Sequence, residues 1–102
     1  MHTNGNGVPE DDKEAVKWWR KAAAQADSIA QFSLGFAYYW GEGVPEDYIQ
    51  AYAWLNISAA NGSSLSKEWK AKVAEEMTKE QIAEAQDLSR EMVEANPKLL
   101  FD

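Results

Sequence analysis

Apolar positions recur along the chain at helical spacing, in five stretches separated by polar or glycine-containing turns. The first predicted helix runs from about Asp12 to Ala24, with Asp11 as N-cap, Glu14 completing a capping box and Pro9 just ahead. The second spans roughly Ile29 to Trp40, capped by Ser28 with Gln31 and stopped by Gly41. The third covers Tyr48 to Ala60, capped by Asp47 with Gln50 and ended by Asn61-Gly62. Ser63 to Met77 carries Leu65, Trp69, Val73 and Met77 at steps of four, the apolar stripe of a fourth helix. Thr78 with Gln81 opens a fifth over about Lys79 to Ala95, whose stripe is Ile82, Ala85, Met92 and Val93 with Leu88 at its edge. Asn96-Pro97 ends it, and the apolar tail Leu99, Leu100 and Phe101 is expected to fold back.

The pattern also repeats. GNGVPED (Gly5 to Asp11) returns 36 residues later as GEGVPED (Gly41 to Asp47), and the register continues through Ala15/Ala51, Trp18/Trp54 and Ala23-Ala24/Ala59-Ala60. A fixed period of this size in helix-forming sequence predicts an all-α fold, an α/α solenoid whose units bury their apolar faces by stacking on neighbours. The expected organisation is a single repeat domain, 1–102, of about five antiparallel helices. Residues 5–27 form a partial first repeat holding its second helix only, 28–62 a full repeat, and 63–102 a C-terminal capping segment, since the GxGVPED turn does not return after Gly62. The chain thus reads as starting inside a repeat. Between the copies Lys13, Lys17, Arg20 and Lys21 become Ile49, Ala53, Asn56 and Ile57. Positions 49, 53 and 57 share one helix face, so that face is expected to meet water in the first copy and to lie under the 79–95 helix in the second.

Composition narrows the function. Hydrophobic residues at 45%, with five Trp, four Tyr and three Phe, exclude a disordered tail. A net charge of −7 argues against a nucleic-acid or anionic-membrane surface. The absence of Cys removes any disulfide framework or Cys-ligated metal site, and no apolar run is long enough for membrane insertion. Met1 to Glu10 holds no signal core, so a cytoplasmic location is the default, or a periplasmic or secreted one if an upstream signal has been removed.

Ala30 to Gly62 closely resembles one whole Sel-one-like repeat, the α/α solenoid unit related to tetratricopeptide repeats. The residues that carry the resemblance are Ala30, Leu34-Gly35, Tyr38, Gly41, Gly43, Val44, Asp47, Ala51, Trp54, Ala59-Ala60 and Gly62. Gly5 to Ala24 resembles the second half of a preceding repeat, and Glu75 to Glu91 the closing segment that follows a last one. The first copy departs at Ala26-Asp27, where it lacks the closing glycine that Gly62 supplies. The resemblance implies adaptor-like assembly of protein complexes, a role such repeats have in bacteria and in eukaryotic quality control.

Small residues at Ala30, Gly35, Ala51 and Ala59 suit close helix approach, with Tyr38 and Trp54 filling the space beside them. The second helix is apolar or aromatic almost all round, and Phe36, Tyr39 and Trp40 are the candidate protein-binding strip, weighed against inter-repeat core. Glu10-Asp11-Asp12 and Glu46-Asp47 lie at helix starts, where capping explains them, and Glu75-Glu76 is a third acidic pair. Lys17, Arg20 and Lys21 form a basic patch whose default is solvation, an acidic partner peptide being the alternative. His2 is alone, and Ser63, Ser64 and Ser66 have no activating motif, so no catalytic residue, cofactor site or metal set is assigned. The expected function is non-catalytic binding of a protein or peptide partner. The rivals are a solenoid-borne hydrolase using groove carboxylates and a purely structural end-cap of a larger array. A homodimer through uncovered apolar surface near Val16 and Trp19 is a further expectation.

Overall fold

The computed structural model describes residues 9–101, with side chains from Asp12 onward. His2, the lead-in Met1 to Asn6 and the side chains of Glu10 and Asp11 therefore lie outside the described residues. Five helices follow one another: α1 Pro9–Ala23, α2 Ser28–Trp40, α3 Tyr48–Ala60, α4 Ser64–Ala74 and α5 Lys79–Ala95, closed by a 3-10 turn at Pro97–Leu99.

The helix ends show what local chemistry decides. Asp47 caps α3 by accepting from the N–H groups of Ile49 and Gln50, and Thr78 and Gln81 form the reciprocal capping box of α5. Gly41 ends α2 in the left-handed conformation (φ 71°), where its N–H and that of Glu42 both donate to the Ala37 carbonyl. Three ends differ from expectation. The first helix starts at Pro9, so Asp11 is inside it rather than at its cap. Proline suits a first helical position because its φ is already set and its missing N–H would have had no partner there. In the second copy the Asp47 N–H donates to the Tyr38 carbonyl, which holds that residue outside the helix. The cap of α2 is Asp27, not Ser28: its carboxylate accepts from Ile29 N and Ala30 N at 3.0 and 3.1 Å and places its charge at the positive end of the helix. Finally α4 stops at Ala74, before Met77.

The turn between α1 and α2 keeps the geometry of its repeat partner despite the missing glycine. Gly62 has φ 101°, and Ala26, its equivalent, sits at φ 68°. An alanine there carries a backbone cost of about 1 kcal/mol. Ala26→Gly is therefore expected to stabilise the fold by about 0.5 kcal/mol, the glycine's greater freedom when unfolded offsetting part of the relief. A rise in urea midpoint with unchanged slope checks it.

The third helix is the hub, with α2, α4 and α5 all packed on it. Eight of its 13 residues are buried, among them Ala53 and Ile57, while Ile49 is half-buried and, like Ile82 of α5, packs against the core around Ala51 and Leu55. The matching Lys13, Lys17 and Lys21 are exposed on α1. The exchange of lysine for apolar residues thus marks the surface that α5 covers. Close approach of α2 to α3 requires Gly35: a Cβ there would lie 2.8 Å from Leu55 Cγ and 3.1 Å from the Ala51 carbonyl oxygen.

Two apolar expectations are corrected. Val16 is buried and Trp19 half-buried, whereas Trp18 stands 64% exposed although its repeat partner Trp54 is 8% exposed. Trp54 shares the core with Leu34 and Ala37 of α2, and among the described residues no helix packs on α1 from the Trp18 side in the same way. On α4, Leu65 is exposed and Ser66 is fully buried in its place. Ser66 Oγ donates to Ser58 Oγ, which donates to the Ser28 carbonyl, so hydrogen bonding rather than the apolar stripe sets how the first turn of α4 faces α3.

Of the apolar tail expected to fold back, Leu99 does so, while Leu100 and Phe101 stay exposed. Leu99 enters the core, and its carbonyl accepts from both Gln31 Nε2 and Asn61 Nδ2 at 2.8 Å. Asn61 Oδ1 accepts from the Phe101 N–H at 2.7 Å.

Candidate protein-binding face

Residues 32, 36 and 40 lie four apart on α2 and share a face, with Tyr39 beside them. The rings of Phe36, Tyr39 and Trp40 come together as one cluster: Trp40 meets Phe36 edge-on at 5.9 Å between centroids and Tyr39 at 4.9 Å. Trp69 of α4 joins them, at 5.1 Å from Phe36 and 6.0 Å from Tyr39, and Tyr48 at the start of α3 stacks on Tyr39 at 5.3 Å. The cluster therefore bridges three helices. Phe36, Tyr39 and Trp69 are half-buried, and Trp40 remains 52% exposed. Lys72 Nζ lies 5.5 Å from the centre of the Trp69 ring.

Glu76 organises the cluster. The Tyr39 hydroxyl donates to its Oε2 at 2.6 Å and the Tyr48 hydroxyl to its Oε1 at 3.0 Å, so each carboxylate oxygen holds a tyrosine. Hydrogen bonding to Glu76, then burial and the carboxylate charge, pushes the Tyr39 hydroxyl up to about 12 from an ordinary 10.0. Tyr48 is raised for the same leading reason. Because the folded value is the higher one, the contribution of Tyr39 is intact below pH 10 and is lost as pH rises toward 12. Ultraviolet titration should show Tyr39 ionising near the top of that window, and nearer its bottom in Glu76→Gln, with Tyr39→Phe identifying the signal.

Sequence reasoning missed Trp69, Tyr48 and Glu76 as members. Trp69 stands on the apolar stripe of α4 and reads as core, and nothing local ties an acidic pair near residue 76 to tyrosines 28 and 37 positions away. Of the repeat residues, Ala30, Leu34, Gly35, Ala51, Trp54 and Ala59 are buried, Tyr38, Gly43 and Val44 half-buried, and Gly41, Asp47, Ala60 and Gly62 exposed at turns and helix ends. In the basic patch Arg20 donates to the Tyr38 hydroxyl at 2.8 Å and Lys21 lies over Trp18. Among the described residues no three acidic or histidine side chains form a metal-binding group, and no helix is long and apolar enough to cross a membrane.

This frame of antiparallel helices, glycine-turned and stacked on a 36-residue period, has a counterpart among known families. The Sel1 repeat model matches residues 1–27 and again 28–63. The chain belongs to the Sel1 repeat family. Sel1 repeats are in general protein–protein interaction modules. Among solved structures the chain is similar to c5321, a protective antigen of uropathogenic Escherichia coli strains displaying an SLR fold. The two are 37% identical with a TM-score of 0.78 over 86% of this chain, which spans 19% of the length of that protein. No curated protein matches the chain.

Proposed function

We propose that this Sel1 repeat chain is a non-catalytic protein-binding module whose contact surface is the aromatic face of α2 and α4, centred on Phe36, Tyr39 and Trp40. The observation that carries the reading is the half-exposed Trp40 held edge-on by Phe36 and Tyr39. Pre-ordered Trp and Tyr rings supply large contact area with little ordering cost, the property of interface anchors. The hydrolase rival needs a free carboxylate in this face, and Glu76 is already bonded to two hydroxyls. Affinity capture tests the proposal: partners retained by the wild type should be lost by Trp40→Ala and Tyr39→Ala and kept by the distant Lys98→Ala. Turnover of ester, amide or glycoside substrates that disappears in Glu76→Gln would favour the hydrolase instead. The exposed Trp18 carries the expectation of a homodimer, which light scattering on dilute protein reads as a doubled mass.

A further inference from the structure

A second surface, separate from the aromatic face, lies where α5 runs alongside α3. Gln86 Nε2 donates to the Tyr52 hydroxyl at 3.4 Å and, one turn on, Asn56 Nδ2 donates to Ser89 Oγ at 2.9 Å, so the two helices advance in the same direction. Between them opens a groove of about 510 Å³, the size of a site for a short peptide segment. Its two ends differ in chemistry. At one, Lys70 from α4 donates from Nζ to Asn56 Oδ1 at 3.0 Å and lies 5.9 Å from the centre of the Tyr52 ring. At the other, Ile57, Ala60, Val93 and Leu100 form an apolar floor.

The cation is the unusual element. The chain carries 17 acidic residues against 10 basic, yet Lys70 is half-buried and bonds a neutral amide, with no carboxylate in contact among the described residues. Asn56 is fixed from both sides, by Lys70 and by Ser89, so the ammonium is held in place with donors left for a further acceptor. The other charges of the groove are Arg90 and Glu94, one helical turn apart on α5, and Arg90 is already paired with Asp87. An anion is therefore favoured at the Lys70 end and an aliphatic group at the Ala60 end. From Asn56 to Ala60 is one turn of α3, about 6 Å, which an extended peptide covers in about two residues.

We propose that this groove binds an extended peptide segment carrying an acidic side chain about two residues from an aliphatic one, the carboxylate on Lys70 and the aliphatic group on Ala60 and Val93. The chemistry is that of a charge-assisted hydrogen bond beside a hydrophobic contact. The carboxylate is that of an acidic side chain within the segment, and a free C-terminus is the competing outcome of the test.

The test is a titration of the isotope-labelled full chain with blocked peptides holding Leu-Gly-Glu or Glu-Gly-Leu, with a peptide ending in Leu-Gly-Gly and a free carboxylate, and with the Gln counterparts. Carboxylate-bearing peptides should shift the amide signals of Asn56 and Ser89, and bind about tenfold more tightly than the Gln peptides. The blocked Glu peptides should bind more tightly than the peptide with the free terminus, and the reverse preference would overturn the side-chain source. Lys70→Gln should lose the same factor and Lys70→Arg retain most of the affinity, with circular dichroism reporting the fold of both. Equal binding of Glu and Gln peptides, unchanged affinity in Lys70→Gln, or shifts absent from Asn56 and Ser89 would each overturn the proposal. Shifts confined to the Trp40 and Trp69 indoles would do so while leaving the aromatic face intact, so the two proposals fail separately.

Discussion

Gly43→Ala is expected to lower the unfolding free energy by about 2–4 kcal/mol, because two independent costs fall on one methyl group. Gly43 has φ +79°, a region that L side chains rarely enter. Its missing Cβ would also lie 2.7 Å from the carbonyl oxygen of Asp12 and 2.8 Å from its carbonyl carbon, so the clash is with the backbone of α1. A side chain could rotate away; a helical backbone moves only with its helix. Gly62→Ala separates the two costs, since Gly62 also has positive φ (+101°) but nothing stands within 4 Å of its would-be Cβ. That variant should lose about 1 kcal/mol. Denaturant midpoints of the two variants check the difference, and equal losses would mean that the turn does not rest on α1. The second glycine of GxGVPED is on this account the point where one repeat touches the helix before it.

Gln31→Leu should cost a similar amount, about 2–4 kcal/mol, although it replaces a polar side chain by an apolar one of similar size. Gln31 is fully buried and makes three hydrogen bonds: Nε2 donates to the carbonyls of Ala23 and Leu99, and Oε1 accepts from Asn61 Nδ2. Leucine leaves those groups to find other partners in a site closed to water. The loss should be local as well as global. Leu99 is tied to α2 and α3 through Gln31 and Asn61, so trypsin should cut after Lys98 faster in the variant than in the wild type at equal folded fraction. Unchanged midpoint and unchanged cleavage would show that the tail is held by Leu99 packing alone.

Helix number, the α3 and α5 boundaries and the covering of α3 by α5 are legible in the sequence because each rests on local rules: caps, periodicity, and a lysine-to-isoleucine exchange at fixed spacing. The starts of α1 and α2 are misread because two nearby residues compete for each, Pro9 against Asp11 and Asp27 against Ser28, and at α2 the Asp27 carboxylate takes the Ile29 and Ala30 N–H groups. Ser66 shows a different limit. A buried serine on a helix where Leu65 faces water cannot be inferred from hydropathy, since its burial depends on partners Ser58 and Ser28 from other helices. Gln31 is hidden for the same reason. For the candidate face, Phe36, Tyr39 and Trp40 follow from the aromatic crowding of α2, while Trp69, Tyr48 and Glu76 enter only through the packing of α4 and the chain after it onto that helix.

The most direct test of the protein-binding face is to select peptides on the immobilised chain from a random display library and map the strongest by its effect on tryptophan indole signals. The indoles of Trp40 and Trp69 should move on binding and that of Trp18 should not, with Trp40→Ala weakening the complex about tenfold or more. Binding that leaves Trp40 and Trp69 unmoved, at full strength in Trp40→Ala, would contradict the account.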